Sequence, residues 1–194
     1  MIEFAFMLGN GVTRLEVVPK ELLKRGKVYG CNRIYQEFEP TVLVSTDKGM
    51  AEEIQLSGYS KRRKHYTRKQ YVLEHSGARI LPQQIHDFSS GPAACGLACD
   101  SDAVYIFLIG FDLKGQHNFI NNIYAGTEHY KSKDSAPTPW GSWEIQIESL
   151  IAKFPSKQIV HVNPLNEFTS NKWLKHTNFR TMYLTEFLQV INNL

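Results

Sequence analysis

Five short stretches carry residues whose types and spacing could do chemistry. Gly9-Asn10-Gly11 puts a side-chain amide between two glycines. Glycines let a backbone approach a ligand closely, and an amide can both donate and accept. The stretch GNGVTR lacks the third glycine of a dinucleotide fingerprint and the lysine of a P-loop, and Asn-Gly is also an ordinary turn. Asn32 can read a base or ribose edge, or simply cap the chain locally. Ser89-Ser90-Gly91-Pro92 opens an alanine-rich segment with a hydroxyl cap and a proline near the first helical position, a strong helix start. Such an N-terminus offers unpaired N–H groups to a phosphate or carboxylate. Asp112 closes the run Ile109-Gly110-Phe111-Asp112. His129-Tyr130 supplies an imidazole whose ordinary pKa suits a general base near neutral pH, though six other histidines share that property.

Two further groupings carry less. Cys95 and Cys99, four residues apart on one expected helix, have no matching His or Cys pair at metal spacing and read as small buried residues. Asp100-Ser101-Asp102 has the look of an Asp-x-Asp metal motif but precedes a strand, which places it at the wrong edge of a sheet, so it reads as a turn.

The elements that must position these residues alternate. Ile2–Leu8, Lys27–Cys31, Thr41–Ser45, Ala78–Leu81, Val104–Ile109 and Gln158–Val162 read as strands, several apolar on successive residues, as in sheets covered on both faces. Pro19–Arg25, Gly49–Leu56, Pro92–Cys99, Trp143–Phe154 and Met182–Asn192 read as helices. The expectation is one α/β domain over residues 1–194 with a doubly wound, mostly parallel sheet. In such sheets ligands lie beyond the carboxyl ends of the strands, where Gly9–Gly11, Asn32, Asp47 and Asp112 fall. The irregular stretch Lys114–Gly141 reads as a lid or binding loop.

Composition narrows the classes. The chain has 194 residues, 42% hydrophobic and 21% charged, the balance of a globular domain. No run approaches the ~18 apolar residues of a membrane span. The opening MIEFAFMLGNG carries Glu3 and no basic flank, so it reads as a strand and not as a signal peptide. Three cysteines form no even framework, which favours a reducing, cytoplasmic setting. Six of the 22 basic residues lie in Lys61–Lys69, KRRKHYTRK, and the other 16 face 19 acidic residues. That run reads as a solvated loop or helix face, or as an electropositive rim for an anionic partner.

Taken together, the order of these motifs resembles a known family. GNG after the first strand, Cys31-Asn32 after the second, SSGPAACGLA opening a helix, a strand ending IGFD and a following His-Tyr are similar to the CMP-sialic-acid-dependent bacterial sialyltransferases and related Rossmann-like glycosyltransferase-like proteins. The similarity spans about residues 2–165 and is best over Ser89–Leu113. It implies a sialyltransferase-like GT-A variant of the Rossmann-like fold, and inverting, metal-independent transfer of a sugar from a CMP-sugar to an acceptor hydroxyl, with no cofactor. Gly9, Asn10, Gly11 and Asn32 would hold the cytidine nucleotide, with Asp112 on the same rim. Ser90 and Gly91 would touch nucleotide or sugar, and His129 would be the base with Tyr130 beside it.

The sequence also departs from the family. Where the family places a tyrosine after its Asp-Phe pair to stabilise the leaving phosphate, this chain reads Asp112-Leu113-Lys114, leaving Lys114 or Tyr124 to supply that role. Two other readings stay open. One is a nucleotide- or nucleic-acid-binding module on a degenerate transferase fold, with KRRKHYTRK as its contact. The other is a metal-dependent pyrophosphoryl transferase using Asp47 and Asp112. The expected partners are the nucleotide-sugar donor and a glycan or other hydroxyl acceptor; an anionic surface at Lys61–Lys69 and a homo-oligomeric state stay open.

Overall fold

A computed structural model describes residues 3–163 and 168–193. Eight strands build one sheet: β1 (Phe4–Leu8), β2 (Lys27–Cys31), β3 (Val42–Val44), β4 (His65–Thr67), β5 (Arg79–Ile80), β6 (Tyr105–Ile109), β7 (Gln158–Asn163) and β8 (Phe179–Tyr183). Their order is β5-β4-β3-β2-β1-β6-β7-β8, with every pairing parallel. The chain therefore builds outward from β1 to β5, then returns to the other side of β1 and builds outward again. This is a Rossmann-like doubly wound α/β fold, as expected from the alternating runs, and its switch point lies between β1 and β6.

The helices α1 (Pro19–Leu23), α2 (Lys48–Leu56), α3 (Tyr59–Arg62), α4 (Ser90–Cys99), α5 (Gly141–Lys153) and α6 (Leu184–Asn192) flank the sheet. Successive β1 residues point to opposite faces, and both faces are covered, which is why the strand is apolar throughout. Ala5 and Met7 pack with Ala93, Ala94, Cys95 and Ala98 of α4 and with Ile147 and Ile151 of α5. Phe6 and Leu8 pack on the other side with Met50 and Ile54 of α2 and Phe187 of α6. Phe6 stacks on Phe107 across the β1–β6 pairing, with ring centroids 5.5 Å apart. The small residues of α4 let it lie close to the sheet, and Cys95 and Cys99 are buried there as free thiols.

Two local expectations are corrected and a third holds. The basic run Lys61–Lys69 is not simply a solvated face, because its centre is β4, with His65 and Thr67 fully buried. His65 is held between Ser45 Oγ at 2.7 Å from Nε2 and Ser60 Oγ at 2.8 Å from Nδ1. Charged neighbours on both sides mask this period-two strand in the sequence. Met182 and Tyr183 end β8 and do not begin the last helix, which starts at Leu184. The strand β8 shows no apolar run because Arg180 and Thr181 are exposed. Asp100, Ser101 and Asp102 do form a turn at the amino edge, before β6. Among the described residues, no helix is long and apolar enough to cross a membrane.

Candidate functional site

A cleft of about 370 Å³ opens at the carboxyl ends of β1, β2, β3 and β6, over the switch point. Gly9, Asn10 and Gly11 follow β1, Asn32 follows β2, Asp47 follows β3, and Gly110 to Leu113 follow β6. The start of α4, Ser89 to Pro92, forms a second wall, and His129 and Tyr130 of the long loop form a third. The rule that ligands lie beyond strand ends thus gathers residues scattered over much of the chain into one place.

The glycines have a different local reason from the expected one. A Cβ on Gly9 would come 2.4 Å from the Gly110 carbonyl oxygen, and one on Gly11 would come 2.4 Å from Asp112 Oδ2. Both glycines make room for the loop after β6, and their amides seal the seam: Gly9 N donates to Ile109 O at 2.8 Å and Gly11 N to Gly110 O at 2.9 Å. Asp112 is buried, and its Oδ2 accepts from Thr13 N at 3.0 Å and from Asn121 Nδ2 at 3.2 Å. Its carboxylate shapes the rim by tying three segments together.

Asn10 faces the cleft from the centre of that seam. Its carbonyl accepts from Ile123 N at 2.9 Å, and its Nδ2 lies 3.5 Å from Tyr130 Oη. Asn32 adopts a left-handed backbone with φ 56°, which asparagine tolerates better than most residues. Its Oδ1 is enclosed and has no hydrogen-bond partner among the described residues. Leu113 and His129, also on the cleft, have φ 61° and 67°. Backbone held in this region collects at functional sites.

At α4, Ser90 is buried and its hydroxyl is engaged. Oγ accepts from Thr46 N at 2.9 Å and lies 3.0 Å from Thr46 Oγ1, pinning the β3 loop to the helix start. What this helix offers the cleft is the amides of Ser90 and Gly91, which have no intrahelical acceptor; Pro92 has no N–H, and Ala93 N already donates to Ser89 O at 2.8 Å. Gly91 keeps that surface open, since a Cβ there would meet only the Phe111 ring at 3.5 Å. Arg68 brings a cation to the same wall. Its guanidinium donates to the carbonyls of His86 at 3.2 Å and of Asp87 and Phe88 at 3.4 Å, on the loop leading into α4. Arg68 belongs to the basic run, but only the β4 pairing reveals that it turns toward the cleft.

The long loop is fastened and not free-standing. Besides the Ile123 bond, Val12 N donates to Asn121 Oδ1 at 2.9 Å. His129 Nε2 lies 3.1 Å from Glu53 Oε2 on α2, and the Nδ1 edge of its ring rests on Gly49, where a Cβ would come within 2.8 Å. Glu53 Oε1 in turn accepts from Tyr35 Oη at 2.5 Å and Gln36 Nε2 at 2.9 Å. Tyr130 is largely buried, and burial raises its hydroxyl pKa.

Lys114 and Tyr124 are not brought to the cleft. Lys114 Nζ sits 4.1 Å from the centre of the Phe168 ring. Tyr124 is buried beneath the loop, where its hydroxyl donates to Glu37 Oε1 at 2.5 Å and accepts from Arg14 Nη2 at 3.0 Å. Arg14 completes this cluster with a two-pronged contact to Glu37 at 2.9–3.1 Å. Burial alone would raise the Glu37 carboxyl, but Arg14 and the Tyr124 hydroxyl outweigh it and hold it below its ordinary value. Nothing in the sequence marks Arg14 or Glu37, because the contacts join distant segments.

Asp47 and Asp112 both border the cleft, but Asp112 Oδ2 already serves two donors. Among the described residues, the one cluster of three His, Cys, Asp or Glu side chains at metal-binding spacing is Glu53, Glu128 and His129. No known protein family matches the chain, and neither a curated protein nor a solved structure matches it.

Proposed function

We propose that the cleft binds a nucleotide and that the chain is a sialyltransferase-like glycosyltransferase, moving a sugar from a CMP-sugar to an acceptor hydroxyl with inversion and without a metal in the reaction. The observation that carries this reading is the convergence of Gly9, Asn10, Gly11, Asn32, Ser90, Gly91 and Asp112 with His129 and Tyr130 on one cleft at the switch point. In the reaction His129 takes the acceptor proton, the acceptor oxygen bonds to the sugar, and the bond from sugar to phosphate breaks to release CMP. Glu53 at Nε2 orients the imidazole, as a carboxylate orients the base in a hydrolytic triad. That leaves Nδ1 as the basic nitrogen, and it must turn off Gly49 to meet the acceptor. Since Lys114 and Tyr124 stand away, the leaving phosphate is assigned to the α4 amides and Arg68, a helix N-terminus and a fixed cation.

A screen of thermal stability with CMP, UMP, GMP and ATP in EDTA tests the binding step. CMP should stabilise most, by about 2.7 kcal/mol at a hundred times its dissociation constant; no stabilisation by any of the four would overturn the assignment. His129→Ala should then lower turnover by about 10²–10⁴-fold with nucleotide affinity unchanged. The displacement of Lys114 and Tyr124 favours a second reading, a nucleotide-binding module that has lost transfer. Under that reading CMP binds, but no sugar donor is turned over.

A further inference from the structure

Glu53 on α2 and Glu128 and His129 on the long loop bring two carboxylate oxygens and one imidazole nitrogen within 4.8 Å of one another. Among the described residues, no lysine or arginine ion-pairs with either carboxylate, the one ion-pair partner of Glu53 is His129, and the Glu128 side chain makes no hydrogen bond or ion pair. Two carboxylate oxygens and one imidazole nitrogen thus converge as a donor set that a divalent cation can accept from. Two donors bound to one zinc ion at about 2.0–2.2 Å stand roughly 3–3.5 Å apart, and His129 Nε2 and Glu53 Oε2 are 3.1 Å apart. Outside this pair, Tyr35 and Gln36 both donate to Glu53 Oε1, which leaves Oε2 aimed at the site. Metal-binding carboxylates are commonly held by such outer hydrogen bonds.

We propose that Glu53, Glu128 and His129 bind one first-row divalent transition-metal ion, of the zinc type, which clasps the long loop to α2 at the edge of the cleft. The mixed nitrogen and carboxylate set suits zinc, whereas magnesium prefers oxygen ligands and keeps much of its water. Three protein donors leave a fourth position for water. An imidazole that gives its Nε2 lone pair to a metal carries its proton on Nδ1. A bound ion therefore takes His129 out of service as a base, so the metal is a brake on transfer and not a participant in it. The binding claim itself does not depend on the transferase reading.

The test is calorimetric titration of ZnCl2 into the full chain after EDTA treatment and dialysis, with no nucleotide present, so that its outcome is separate from that of the CMP screen. The parent should bind one ion per chain saturably, and excess MgCl2 should not displace it. Glu128→Gln and His129→Asn should each weaken binding at least about 10-fold, and Tyr35→Phe should weaken it by a smaller factor. Asparagine keeps the left-handed backbone at 129 accessible. If His129→Asn failed to fold by circular dichroism, Glu128→Gln would decide alone, since it breaks no contact. Three other histidines lie beside a single carboxylate each, at Glu74–His75, His86–Asp87 and Glu148–His176. No saturable zinc binding, or parent-like affinity in Glu128→Gln, would overturn the proposal and assign any residual binding to those pairs.

Discussion

The α-carbon of Gly11 faces the carboxylate of Asp112 so closely that the smallest side chain would overlap it, at 2.4 Å from Oδ2. Asp112 cannot yield cheaply, because the same oxygen holds Thr13 N and Asn121. Gly11→Ala should therefore cost about 1–3 kcal/mol or more, the usual range for overpacking a tight site. Gly91→Ala, with only the Phe111 ring at 3.5 Å, should leave stability unchanged or slightly raised. Urea denaturation of the two variants checks the contrast, and equal effects would show that the seam is looser than described.

Replacing Asn32 separates backbone from amide. With φ 56°, Asn32→Gly keeps the conformation and removes the enclosed Oδ1, while Asn32→Ala also strains the chain. Both should weaken CMP binding, and Asn10→Ala should do so too, but only Asn32→Ala should lose stability, by about 1 kcal/mol. Unaltered CMP binding in Asn10→Ala and Asn32→Gly together would remove the cleft's floor from the nucleotide site.

Acid should weaken the fold in a defined window. Burial pushes the pKa of His65 and His161 from an ordinary 6.5 down to about 4. Groups with depressed values hold fewer protons in the native state than in the unfolded chain, so stability is complete above pH 6.5 and declines as pH falls toward 4. The urea midpoint should fall continuously across that interval. A flat profile between those values would mean that neither ring is buried as described.

The Arg14–Glu37–Tyr124 cluster adds a second acid-sensitive contact. Arg14 is buried with Glu37 as its counter-ion, while Glu37 is itself 45% exposed. Arg14→Met should destabilise by about 2–3 kcal/mol, less than a fully enclosed pair would lose. The lowered Glu37 carboxyl contributes stability that is present above its ordinary 4.5 and fades as pH drops below it. Glu37→Gln should remove that portion of the acid loss while leaving the histidine portion in place.

The exposed part of the basic run should be expendable for folding. Arg62 and Arg63 reach Glu39 at the surface, the kind of pair that contributes little. Changing Arg62, Arg63 and Lys64 to Gln should shift unfolding by no more than about 0.5 kcal/mol. It should also reduce adsorption to anionic polymers in a salt-dependent way, read by retention on a heparin column. A large loss of stability would mean that the charges, and not the buried His65 and Thr67, hold β4 in place.

How far the sequence could be read depended on how local each signal was. The runs around Phe6, Val28, Leu43 and Phe107 declare strands because both faces of the central sheet are covered, and strand ends then point to the cleft. His65 escaped because its strand is three residues long between clusters of charge, and Phe179–Tyr183 because an edge strand needs no apolar outer face. The direction faced by Gly9 and Gly11 becomes visible only once β1 lies beside β6. Tyr124 looked like a free hydroxyl for the same reason: its partners Arg14 and Glu37 come from segments near the start of the chain.

The placement of β1 in the middle of the sheet has a consequence for synthesis. Strands β1 to β5 each find a neighbour that is adjacent in sequence, so this half can assemble as it is made. The other edge of β1 stays bare until Tyr105–Ile109 is made, since Phe4 waits for Tyr105 and Leu8 for Ile109. Until then the nascent chain carries an apolar, unpaired strand edge of the kind that recruits other chains. The slow step in maturation should be the docking of β6, and a chaperone that shields Phe4–Leu8 would raise yield more than one acting on the finished protein.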